Sequence, residues 1–116
     1  MFGTLLKSFG YAFAGIGHFF RTERNARVHL LAAIVVIIIS FILNITTDQW
    51  LWISLSICLV VVAEMINTAI EKLCNRITTA HDAEIKVIKD ISAGFVLITS
   101  LFACVVAAII FIPYLL

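Results

Sequence analysis

The sequence predicts an all-α integral membrane protein: three transmembrane helices preceded by an N-terminal amphipathic helix on the membrane surface. Three observations lead there. Hydrophobic residues make up 63% of the 116-residue chain and mean hydropathy is +1.15, far outside the soluble range. The few charges, eight Lys or Arg and seven Asp or Glu, cluster outside three apolar blocks. Each block approaches or exceeds the roughly 20 residues that cross hydrocarbon as a helix. Residues 1–116 therefore read as one membrane domain.

The first element is Thr4–Phe20, where Leu5, Phe9, Phe13, Ile16 and Phe20 recur at three- and four-residue spacing. Lys7, Gly10, Gly15 and Gly17 interrupt it, which suits a helix lying in the interface better than a span or a secretory signal. The charged hinge Arg21–Arg27 leads into a first span, Val28–Ile45. Thr46-Thr47-Asp48-Gln49 reads as a tight polar loop. Trp50 and Trp52 then stand where aromatic belts meet the membrane boundary. The second span, Trp50–Asn75, exceeds the hydrocarbon thickness, so its last turns should reach water. Arg76–Asp90 is polar, and Ile91–Ile112 forms the third span, with Pro113 marking its end. Ser100, Cys104 and Ala108, with Ala103 and Ala107, give that helix small residues that should pack in the protein interior.

A formal charge of +1 leaves no basic face for nucleic acid. Cys58, Cys74 and Cys104 are widely spaced and form no CxxC pair, so they read as small buried packing residues. Basic residues set the orientation. Arg21, Arg24 and Arg27 precede the first span, and Lys72, Arg76, Lys86 and Lys89 lie between the second and third. The positive-inside rule places the N-terminus and these polar segments in the cytoplasm and the C-terminus outside.

Within the second span, Glu64, Asn67 and Glu71 fall inside an arc of about 60°, and Asn75 follows on the same face. A charged group at mid-membrane costs roughly 2.5–3.5 kcal/mol on insertion scales, so repeating it on one stripe points to a polar site. Glu23 before the first span and Lys89 and Asp90 before the third lie at the same membrane face. Carboxylates with a Lys and an Asn suit magnesium plus phosphate, and one carboxylate can take a proton from an attacking hydroxyl. Gly10 to Gly15 has the four-residue gap of a phosphate loop, but Ile16 stands where Lys is required. His18, His29 and His81 show no ligand spacing and read as interfacial or solvated. A structural network between helices fits the stripe equally well. So does an ion pathway in a small oligomeric transporter or channel with Glu64 as its coupling carboxylate.

Glu64-Met65-Ile66-Asn67-Thr68-Ala69-Ile70-Glu71 resembles the signature of the small prokaryotic diacylglycerol kinase family, which includes the undecaprenol kinases. Glu23-Arg24-Asn25-Ala26-Arg27 resembles the family's charged segment before the first span, and Lys89-Asp90-Ile91-Ser92-Ala93-Gly94 its element entering the third. The resemblance covers nearly the whole chain. It departs at Cys74 and Asn75, where the family usually has Val and Asp.

The resemblance implies an ATP-dependent lipid kinase that phosphorylates a membrane alcohol, with undecaprenol slightly favoured over diacylglycerol. It implies a homotrimer with sites shared between neighbouring subunits at the cytoplasmic face. Glu64 would be the base or orienting group for the lipid hydroxyl, and Asn67 would position Glu64 or the phosphate. Glu23 and Glu71 would hold magnesium against ATP, and Lys89, Asp90 and Asn75 would contact the nucleotide.

Overall fold

The computed structural model describes residues 1–116 as four helices and no strand: α1 (Phe2–Thr22), α2 (Arg24–Leu43), α3 (Thr47–Ile77) and α4 (Ala83–Leu115). The last three are each long and apolar enough to cross a membrane. Only 13 of 116 residues are buried, so the apolar faces point outward, as they do when lipid rather than a protein core solvates them. α1 is amphipathic, and its Leu5, Phe9, Phe13 and Ile16 stripe is uncovered by the rest of the chain. Its one buried residue is Phe19 rather than Phe20.

Glu23 alone joins α1 to α2, with extended backbone (φ −101°, ψ 118°). Arg27 fastens this joint from the α2 side. Its guanidinium donates to the carbonyls of Arg21 (2.7 Å) and Phe20 (3.3 Å), which end α1 without helical partners.

The α2–α3 turn is shorter than the sequence suggests. Asn44 takes the left-handed conformation (φ 52°) that closes α2, a role Asn tolerates better than other non-glycine residues. Thr46 then caps α3: its hydroxyl accepts from the Gln49 amide at 3.2 Å, and Gln49 Oε1 accepts from the Thr46 N–H at 3.0 Å. Thr47–Gln49, expected as loop, is therefore the first turn of α3.

The polar stretch Arg76–Asp90 is likewise mostly helix. α3 runs on to Ile77, and Asp82 Oδ1 accepts from the Glu84 and Ile85 amides at 3.0 Å to start α4. Pro113 does not end α4, which continues to Leu115. The missing proline N–H removes one bond in a final turn, and the Leu116 N–H still reaches the Ile112 carbonyl at 3.2 Å.

Ile45, Ile53, Val106 and Ile110 form the hydrophobic core beside the α2–α3 turn, at the opposite end of α3 from Glu71. Trp50 packs on Phe41 with ring centroids 4.8 Å apart, and the Tyr114 hydroxyl donates to Gln49 Oε1 at 2.8 Å, tying the end of α4 to the start of α3. Ala103 and Ala107 face an apolar cleft between the spans, as small residues permit close helix approach. Cys104 and Ala108 of the same row instead face outward, because a 100° step per residue carries them around the helix. Of the cysteines only Cys74 is buried; Cys58 and Cys104 are free and exposed on the apolar exterior.

Candidate active site

Four of the residues singled out in the sequence line one polar cavity of about 80 Å³: Glu23, Glu64, Asn67 and Glu71, joined by Phe19, Asn25, Ala26 and Thr68. Three turns of α3 supply the stripe, and the one-residue joint brings Glu23 across to it. Ala26, 1% exposed, marks how closely α2 approaches at this level.

Glu64 is the most constrained member, at 6% exposure. Its Oε1 lies 3.0 Å from His29 Nε2 of α2, while its Oε2 is buried without any partner. The other buried polar side chains, Ser40, Ser56 and Ser92, all donate hydrogen bonds. A buried carboxylate oxygen with no partner is costly to maintain, and it sets Glu64 apart from every other buried polar side chain of the protein.

Asn67 is oriented from α4. The fully buried Ser92 hydroxyl donates to Asn67 Oδ1 at 2.7 Å, which commits that oxygen and leaves the amide N–H groups for the cavity. Glu23 Oε1 stands 3.9 Å from Lys72 Nζ, which also lies 3.2 Å from His18 Nε2.

Asn75, Lys89 and Asp90 lie elsewhere. Asn75 Oδ1 accepts from Lys89 Nζ at 2.7 Å, one turn beyond Glu71. Asp90 accepts from Lys86 at 2.7 Å, and Lys89 and Asp90 line a separate open pocket beneath the Thr78–Asp82 turn. The structure thus sorts the expected site residues into a carboxylate cavity and a basic–amide group beside it.

His29 and Ser92 belong to the site although neither stood out as part of it. A histidine inside an apolar span is expensive without a partner, and that was the available signal; the partner itself depends on how α2 packs on α3. His18 is exposed and lies 3.2 Å from Lys72 Nζ, and His81 is exposed in the turn between α3 and α4.

No three His, Cys, Asp or Glu side chains close into a ready metal cage. Magnesium needs none, since it keeps several waters and takes one or two carboxylates together with substrate phosphate oxygens. Glu23 and Glu71, two carboxylates on one cavity, fit that demand.

Comparison with known proteins places this geometry. The model of the family described as prokaryotic diacylglycerol kinase matches residues 10–111. The chain belongs to that family. It is 38% identical over 107 residues to an undecaprenol kinase of Bacillus subtilis (strain 168), covering 92% of this chain and 87% of that protein. It is 34% identical over 113 residues to a diacylglycerol kinase of Synechocystis sp. (strain ATCC 27184 / PCC 6803 / Kazusa), covering 97% of this chain and 65% of that longer protein. The chain is accordingly a multi-pass membrane lipid kinase, and the polar stripe belongs to an enzyme rather than to a transporter or channel subunit.

Proposed function

We propose that this lipid kinase transfers the γ-phosphoryl group of ATP to the hydroxyl of a membrane alcohol, undecaprenol in preference to diacylglycerol. The observation that carries the site is the buried, unpartnered Oε2 of Glu64 on a cavity shared with Glu23, Asn67 and Glu71. The similarity to the Bacillus subtilis undecaprenol kinase supports the acceptor, being somewhat greater than that to the diacylglycerol kinase.

Glu64 Oε2 accepts the proton of the acceptor hydroxyl as that oxygen bonds to the γ-phosphorus and the bond from phosphorus to ADP breaks. Asn67, its carbonyl held by Ser92, donates its amide N–H toward phosphoryl oxygens or toward Glu64. Glu23 and Glu71 would hold magnesium, which would supply positive charge to neutralise the ATP phosphates. Lys89, Asp90 and Asn75 contact the nucleotide along the end of α3, with Lys89 freed from Asn75 to meet phosphate.

The enzyme works as a homotrimer in the bacterial plasma membrane, its sites on the cytoplasmic side and shared between subunits. Arg21, Arg24 and Arg27 around the α1–α2 joint, with Lys72, Arg76, Lys86 and Lys89 at the facing ends of α3 and α4, support that orientation. The deciding assay supplies labelled ATP to undecaprenol and diacylglycerol side by side in detergent, with Glu64→Gln as control. Faster incorporation into undecaprenol is expected. A parent enzyme that labels only diacylglycerol would reverse the acceptor assignment.

A further inference from the structure

We infer that His29 is a positioning residue for phosphoryl transfer, holding Glu64 so that its free oxygen faces the acceptor hydroxyl. This rests on the reading of Glu64 as the base, and deepens it. His29 Nε2 lies 3.0 Å from Glu64 Oε1, and His29 is the one basic side chain that pairs with this carboxyl group. That is the only ion pair the carboxyl group makes, and Oε2 is buried and alone. The two oxygens of one carboxylate are thereby made inequivalent: one is anchored to α2 and the other is left for the reaction.

The surroundings favour this division. The other titratable groups on the cavity are Glu23, from the α1–α2 joint, and Glu71, from α3; both are carboxylates and neither can donate to Glu64 when ionised. The cation next along, Lys72, is engaged with Glu23 and His18, and α4 reaches the cavity only through Ser92 behind Asn67. Without His29 a 6%-exposed carboxylate would have no charge partner at all, and its χ angles would be free to turn Oε2 away.

His29 lines the apolar cleft formed with Ala32, Val36, Ile57 and Val60, while its partner Glu64 lines the polar cavity. The pair therefore sits at the level where apolar surface gives way to polar groups. An alcohol carried on a hydrocarbon chain presents its hydroxyl at such a boundary.

The test is kinetic and uses the full chain in detergent. His29→Leu keeps volume and removes the basic ring; His29→Gln keeps an N–H that can point at Glu64 Oε1. His29→Leu should lower kcat by about 10²-fold, the scale of a 1 Å misplacement, with the KM for ATP within about twofold of the parent. His29→Gln should recover at least tenfold of that loss, a difference in kcat at unchanged KM that a loss of stability alone would not produce. In the Glu64→Gln background, His29→Leu should cost nothing further, as for groups acting as one unit.

Parent kcat in His29→Leu would overturn the inference, as would a His29→Gln variant no better than His29→Leu. Glu64→Gln with full turnover would instead defeat the reading of the base itself. Loss in Glu64→Gln beside full turnover in His29→Leu removes only the role of His29.

Discussion

At the scale of single residues, Glu64 and Glu71 sit two turns apart on α3 yet meet different surroundings, and chemistry should divide between them accordingly. Glu64 is buried with one oxygen unpaired, whereas Glu71 is exposed at the mouth of the same cavity. Replacing the base should reduce turnover with little effect on ATP binding. Glu64→Gln is expected to lower kcat by roughly 10²–10⁴-fold, the usual contribution of general base catalysis, while nucleotide binding measured by calorimetry persists. Lipid phosphorylation at the parent rate would return the burial of Glu64 to a structural cause. Glu71→Gln removes a hard oxygen donor instead, and should shift the magnesium titration to higher concentration as well as slowing the reaction. An unchanged magnesium titration would take Glu71 out of the metal site.

At the scale of elements, the site depends on two junctions that bring sequence-distant residues onto α3. The Glu23 joint was visible as a charged hinge, but that one residue makes the turn, and that Arg27 fastens it, follows from the α1 carbonyls left unpaired there. The stripe Glu64–Asn67–Glu71 was legible because helical periodicity alone puts those residues on one face. The helix ends were not: Thr46 and Asp82 extend α3 and α4 into polar segments that composition reads as loop, because capping turns polar residues into first-turn residues. His29 and Ser92 were hidden for another reason, since each acts through a side chain on a neighbouring helix. Ser92 gives that dependence a measurable form. Ser92→Ala leaves Asn67 Oδ1 without its 2.7 Å donor and lets the amide rotate. A several-fold fall in kcat is expected, with a stability loss of about 1–3 kcal/mol in detergent unfolding. A variant unchanged in both measurements would show that Asn67 is not held from α4.

At the scale of the whole molecule, a chain with 13 buried residues of 116 must complete its surroundings from outside, by lipid or by other copies. Orientation is tested first. A cysteine introduced at Thr47 should react with an impermeant thiol reagent added to intact cells, and one at Ala83 should not, in a background where Cys58, Cys74 and Cys104 are replaced. Labelling at Ala83 would put the site on the wrong side for ATP.

Assembly follows from how the single chain divides the site. Glu23, Glu64, Asn67 and Glu71 share one cavity, whereas Lys89 and Asp90 line another, so the proposed composite site would take these two groups from different subunits. Mixing Glu64→Gln with Lys89→Gln subunits should therefore restore activity. A site is intact when the Lys89→Gln chain supplies Glu64 and its neighbour supplies Lys89. Random mixing in equal amounts makes about one site in four intact in a closed ring of identical interfaces. Mixing Glu23→Gln with Glu64→Gln should restore nothing, since both residues lie on the same cavity of one chain. Inactivity in both mixtures, with mixed oligomers verified by differential tagging, would mean that each site is built within one subunit. The pair Lys89–Asn75 would then have to open toward its own cavity for ATP to bind.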